Sequence, residues 1–140
     1  MIISVFGGGG FVGSHLVEYF INENYSVIAI DIDSKKISEK CFKSKEFTFK
    51  NLDIHRDDSS INKIIKNSDI VINLIAYAVP ALYIKKPLEV VELNFYDNLK
   101  IIKQCIEHKK WIIQFSSCEV YGLLGGRNGV FSEDSSNLIL

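Results

Sequence analysis

Ile2-Ile3-Ser4-Val5-Phe6-Gly7-Gly8-Gly9-Gly10-Phe11-Val12-Gly13-Ser14-His15-Leu16 is the stretch that decides the fold. The first five residues, nearly all apolar, read as a short buried strand that stops at glycine. The run that follows contains Gly7-x-x-Gly10-x-x-Gly13. After it, Val12, Leu16, Val17, Phe20 and Ile21 share one face of a helix predicted over 10–24. Strand, glycine turn, helix is the context a dinucleotide-binding fingerprint requires. Glycines let the backbone turn sharply and approach a pyrophosphate, whose charge then meets the helix N-terminus. A tight turn that uses glycine only for packing has the same spacing, so the next strand has to arbitrate.

That strand is Ser26-Val27-Ile28-Ala29-Ile30-Asp31, and Asp31 lies eighteen residues after Gly13. A carboxylate at this strand end can accept hydrogen bonds from both hydroxyls of an adenosine ribose and repels a 2′-phosphate. Ile32, Asp33 and Ser34 bring no arginine to hold such a phosphate. The reading is therefore NAD rather than NADP, against the plainer alternative of a solvated strand-end aspartate.

Strand and helix signals alternate along the rest of the chain. Residues 33–45 are polar, a loop or a short surface helix. A third strand is predicted over 46–50. Asp58-Ser59-Ser60 offers caps for a helix with Ile61, Ile64 and Ile65 on its core face. A fourth strand, almost continuously apolar over 69–75, suits burial on both sides. Pro87 opens a long helix that ends at the cations His108-Lys109-Lys110, and a fifth strand covers 111–116. The expected fold is α/β: a Rossmann-type doubly wound parallel sheet with helices on both faces.

Bulk properties narrow the function classes. The 140 residues suit one domain, 47% apolar and 24% charged, with a net charge of -1. No basic stripe with interleaved aromatics argues for nucleic acid, and no apolar run approaches a membrane span. Cys41, Cys105 and Cys118 are odd in number and lack metal-ligand spacing, so they read as reduced thiols of a cytoplasmic protein with no metal site. His15, His55 and His108 each stand alone. The apolar end, Leu138-Ile139-Leu140, reads as a cut rather than a natural domain boundary.

Two segments could carry chemistry beyond the glycine turn. Asp53-Ile54 follows the third strand, where a doubly wound sheet lines its cofactor crevice; Asp53 either meets an adenine or closes an Asx turn. Ser116-Ser117-Cys118-Glu119 gathers hydroxyls, a thiol and a carboxylate at the C-terminal end of a buried strand, where open α/β sheets place their active sites. Ser117 could instead cap the loop.

With these residues in place, the whole chain resembles the extended short-chain dehydrogenase/reductases, the NAD-dependent epimerases and dehydratases of nucleotide sugars. Gly7, Gly10, Phe11, Val12 and Gly13 look like that family's glycine loop, Asp31 like its ribose-binding acid, and Asp53-Ile54 like its adenine-side pair. Leu74-Ile75-Ala76 is similar to the segment that lies along the cofactor, and Asn94 to an asparagine that supports the site. Ser116-Ser117-Cys118-Glu119-Val120-Tyr121-Gly122 resembles the catalytic-strand signature.

Within the family the likeness is nearer to the UDP-glucuronate decarboxylases, a subgroup that includes a domain of a bifunctional polymyxin-resistance enzyme. Asp53-Ile54-His55, Pro80-x-x-Tyr83 with Lys86-Pro87-Leu88, and the stretch 131–139 carry it, and Glu119 separates this subgroup and the dehydratases from simple epimerases. The resemblance implies oxidation of the sugar at C4, after which a 5-carboxylate can leave as carbon dioxide. It gives Ser117 the C4 oxygen, Glu119 the acid/base work near C5, and Tyr83 a substrate contact. The alternatives are a 4-epimerase, a 4,6-dehydratase, or an NAD-binding scaffold without turnover.

Two departures stand out. Cys118 replaces a serine or aspartate, and a thiol is a weak hydrogen-bond donor. The family's Tyr-x-x-x-Lys should follow Ser117, and the chain ends first. Tyr96-x-x-x-Lys100 fits the spacing but precedes the serine strand in mid-helix. The expectation is an NAD-binding domain over 1–140, truncated before the substrate-binding part, whose full-length form pairs into homodimers through the long helix.

Overall fold

The computed structural model describes residues 1–118 and Val120. Five parallel strands form one sheet in the order β3-β2-β1-β4-β5: β1 Ile2–Phe6, β2 Ser26–Asp31, β3 Phe47–Asn51, β4 Ile70–Asn73 and β5 Trp111–Gln114. Each parallel connection crosses over through helix: α1 Phe11–Asn22, the four-residue α2 Glu39–Phe42, α3 Asp58–Asn67, then α4 Pro80–Lys85, α5 Pro87–Val91 and α6 Asn98–Glu107. The strand order reverses at β1, from which β2 lies on one side and β4 on the other. That reversal opens a crevice at the carboxyl ends of the strands.

Side chains alternate across the pleat, so each central strand feeds two cores. Ile3, Val5, Val27, Ala29 and Ile72 join Val17, Ile37 and Cys41 on the α1 side. Phe6, Ile30 and Val71 join Ile54, Ile61, Ile65, Ile101 and Cys105 on the side of α3 and α6. This double burial explains why β1 and β4 read as continuous apolar runs. The polar exception within β1, Ser4, is satisfied under α3: its hydroxyl shares a hydrogen bond of 2.6 Å with Ser68, which donates to Ile64 O at 2.7 Å.

Several boundaries move. The sheet ladder of β4 stops at Asn73 rather than residue 75, and β5 stops at Gln114 rather than 116, because the strands they pair with run no further. Asp58 is the first residue of α3, not its cap; Asp57 takes the N-cap position without a side-chain cap bond, and its carboxylate accepts from Asp53 N at 2.8 Å. Pro80-x-x-Tyr83 opens a short helix, Pro80–Lys85, with proline in its first turn, that the strand and helix signals of the sequence do not include. The long helix from Pro87 is interrupted by a π-helical turn over Glu92–Asp97. Single π turns inside helices re-aim side chains and gather at functional sites. Among the described residues no helix is long and apolar enough to cross a membrane.

Candidate functional site

The glycine turn is built by backbone constraints at two positions. Gly7 has φ +80°, a left-handed conformation that side chains resist, and its N–H donates to Ile30 O at 2.8 Å. A Cβ on Gly13 would lie 2.1 Å from Gly7 O, so α1 packs directly on the turn. Gly10, the N-cap of α1, is the open one: an added Cβ would meet only Gly7 O, at 3.2 Å. No side chain caps α1 and no acid sits in its first turn, which leaves the amides of that turn for an anion.

Asp31 closes the turn from the neighbouring strand. Its Oδ2 accepts from Gly9 N at 2.9 Å, and its Oδ1 accepts from Ile32 N at 2.7 Å. Oδ1 also accepts from Asp33 N at 3.3 Å, so of the about four acceptor positions of a carboxylate roughly one remains for a ribose hydroxyl. Gly9 was not part of the sequence fingerprint, yet its Cβ would fall 1.7 Å from Asp33 O. The signal was there in the unbroken run of four glycines.

Beside this turn lies a cavity of about 270 Å³. Of the residues expected at a cofactor, Gly7, Gly10, Asp31, Asp53, Ile54, Leu74 and Ala76 line it together. Asp53 lines the cavity and closes the Asx turn, its Oδ1 accepting from His55 N at 2.9 Å. Phe11, Val12, Gly13 and Asn94 do not line the cavity. Phe11 and Val12 are exposed at the start of α1, and Gly13 is buried beneath the turn.

Asn94 acts through the wall. Its Oδ1 accepts from Tyr77 N at 2.7 Å and its Nδ2 donates to Tyr77 O at 3.0 Å. Ile75, of the expected Leu74-Ile75-Ala76 segment, lines the cavity too; the further apolar contributors Ile32, Leu52, Tyr77 and Leu93 read in the sequence as ordinary core or loop.

A second cavity of about 240 Å³ shares Asp53, Tyr77 and Leu93 with the first and is otherwise polar, bordered by His55, Arg56, Glu89, Glu92 and Asp97. His55 is not solitary: its Nδ1 lies 3.0 Å from Asp97 Oδ2, bridging the β3 loop to the π-helical turn. Lys100 Nζ donates to Asp97 Oδ1 at 2.8 Å. Burial works to raise the Asp97 carboxyl, but hydrogen bonds from Lys100 and His55, with their charges, outweigh it and hold it below the ordinary value. Lys100 is thereby committed to Asp97, which disposes of Tyr96-x-x-x-Lys100 as a catalytic pair.

The residues resembling the catalytic-strand signature follow β5. Phe115 N donates to Asn73 O at 3.0 Å, extending the pairing one residue past the strand, and Ser117 O accepts from Val120 N at 3.2 Å. Cys118 is exposed. Glu119 lies outside the described residues. Tyr83, on α4, is half-exposed and borders neither cavity. Cys105, in contrast, is buried, which pushes its thiol up to about 11 and leaves it inert.

Residues 3–137 match the model of the NAD dependent epimerase/dehydratase family. The chain belongs to that family. NAD is accordingly its cofactor, and the residues present fit it: an open glycine cradle on an uncapped helix N-terminus would take the pyrophosphate, and the Asp31 and Asp53 carboxylates of the adjoining cavity would take hydroxyl or amino donors. Among solved structures, the family member is similar to the PbgP3 protein of Burkholderia pseudomallei, with 29% identity over 87% of this chain and 36% of that one and a TM-score of 0.82. It is similar to the UDP-N-acetylglucosamine 4-epimerase of Methanobrevibacter ruminantium M1, with 28% identity over 94% of this chain and 42% of that one, TM-score 0.81. The UDP-glucose 4-epimerase of Thermotoga maritima matches at 25% identity over 87% of this chain and 40% of that one, TM-score 0.74. The chain thus spans about two fifths of the length of these relatives.

Proposed function

We propose that residues 1–140 are the NAD-binding domain of a longer nucleotide-sugar enzyme that oxidises C4 of UDP-glucuronate and releases its carboxylate as carbon dioxide. The observation that carries the C4 reading is the common edge of the sheet. The cofactor wall at Leu74–Tyr77 leaves β4, and the Ser116-Ser117 segment leaves the adjacent strand β5, tied to it through Phe115 N and Asn73 O. Bound NAD supplies the hydride acceptor. The chain's own part is to seat the adenosine end at Asp31 and Asp53 and to aim the Ser117 hydroxyl at the C4 oxygen, where a donor stabilises developing charge.

Decarboxylation rests on the sequence likeness: Asp53-Ile54-His55, Pro80-x-x-Tyr83 and Glu119 in the catalytic-strand signature. In this reading Glu119 serves as acid or base near C5 and Tyr83 contacts the sugar. The enzyme is cytoplasmic and pairs into homodimers through the α5–α6 segment, whose Leu88, Phe95 and Ile106 are exposed. A second reading, 4-epimerisation, is favoured by the two relatives named as UDP-sugar 4-epimerases. Incubating the full-length protein and NAD with UDP-glucuronate, and separately with UDP-glucose and UDP-N-acetylglucosamine, separates the two. Carbon dioxide from UDP-glucuronate supports decarboxylation; conversion of the hexoses alone replaces it with epimerisation.

A further inference from the structure

The cofactor wall continues past the point where the sheet can hold it. Leu74 N still donates to Phe6 O at 2.9 Å, the last bond of the β1–β4 ladder. Beyond it, side-chain amides take over. Ile75 N donates to Asn73 Oδ1 at 3.3 Å, and Ile75 O accepts from Asn98 Nδ2 at 3.0 Å. The same Asn98 Nδ2 donates to Leu93 O, another wall residue, at 2.8 Å.

Asn73 and Asn98 are bonded to each other, Nδ2 to Oδ1, and both are buried, at 0% and 5% exposure. The second Asn73 donor goes to Gln114 Oε1 at 2.8 Å, and Gln114 Nε2 donates to Phe115 O at 3.1 Å. Every polar atom of the two buried asparagines is therefore used. Apolar residues would fill these sites with less risk, because a buried amide that loses a partner is costly. A fully satisfied network, in return, fixes a single geometry.

We infer that Asn73, Asn98 and Gln114 form a positioning network that sets the Ile75–Leu93 wall for the cofactor, with Gln114 acting at a distance through Asn73. Gln114 borders neither cavity and is joined to the wall through Asn73. Losing the acceptor frees the Asn73 amide to turn, and the turn withdraws Oδ1 from Ile75 N. None of this depends on which sugar is converted.

The test is NAD binding to the full-length protein by calorimetry, well below its melting temperature, for Gln114→Leu and Gln114→Glu. Glutamate keeps the Oε1 acceptor; leucine removes it. Gln114→Leu should weaken NAD about three- to tenfold, the loss of one hydrogen bond, while Gln114→Glu stays within about twofold of wild type. Asn98→Leu should weaken NAD at least as much, and the double variant with Gln114→Leu should fall short of the product of the single effects. Wild-type affinity in Gln114→Leu, or equal loss in Gln114→Leu and Gln114→Glu, would overturn the inference. Gln114 is exposed at the end of β5, so its variants should fold even if Asn98→Leu does not.

Discussion

The Asn94 carboxamide grips both backbone polar groups of Tyr77, accepting from its N–H at 2.7 Å and donating to its carbonyl at 3.0 Å. Seventeen residues of sequence separate the two. A backbone segment with no strand beside it is thus held as if it had one. Each bond contributes on the order of 1 kcal/mol, so Asn94→Ala should weaken NAD binding several-fold without unfolding the protein. Asn94→Asp, which keeps the acceptor and loses the donor, should fall between; calorimetric titration with NAD reads both.

Asp31 holds the Gly9 amide and lines the cavity in which the proposed function seats the ribose. Removing it takes away hydrogen bonds to a charged acceptor, worth about 1.5–3 kcal/mol. Asp31→Ala should raise the NAD dissociation constant roughly 10–100-fold. The preference for NAD over NADP should shrink with it, since the repulsion of a 2′-phosphate is gone. Parallel titrations with the two dinucleotides measure the change.

Gly13 and Gly10 should respond in opposite ways to the same methyl group. At Gly13 a Cβ meets Gly7 O at 2.1 Å and Gly8 Cα at 2.8 Å, backbone that cannot yield without displacing α1. Gly13→Ala should cost on the order of 3 kcal/mol and show as a large drop in thermal midpoint. At Gly10 only Gly7 O comes near, at 3.2 Å, so Gly10→Ala should fold and fail instead at NAD binding.

Asp97 makes acid stability titratable. Its folded carboxyl is held below the ordinary value of 3.8 by Lys100 and His55 against the opposing effect of burial. A lowered folded value means the contribution is complete above pH 3.8 and is lost as pH falls through the lowered one. Asp97→Asn should therefore flatten the acid limb of the stability curve and lower stability at neutral pH. Urea midpoints between pH 2 and pH 7 measure both effects.

The fold was legible because parallel strands buried on two faces leave unbroken apolar runs, and β1 and β2 have the boundaries that those runs predict. Strand ends were less so. Nothing local in Leu74-Ile75 says that the partner strand has stopped, and only the register of β1 against β4 sets that limit. The glycine turn and Asp31 were readable because backbone geometry there depends on residue type. Asn94 is reached only through the family likeness, and the buried amides Asn73 and Asn98 not at all. Their roles come from partners 17 to 41 residues away, across a π-helical turn that the helical periodicity conceals. His55 and Asp97, 42 residues apart, escaped for the same reason.

Oxidation at C4 of a nucleotide sugar would pass a hydride to NAD, and isotope transfer reads that step. Full-length protein loaded with NAD is mixed with UDP-glucuronate deuterated at C4, quenched within a turnover, and the released cofactor is analysed by mass spectrometry. Deuterium should appear on the cofactor, and much less of it with Ser117→Ala. Consumption of the sugar with no deuterium on the cofactor would contradict the account.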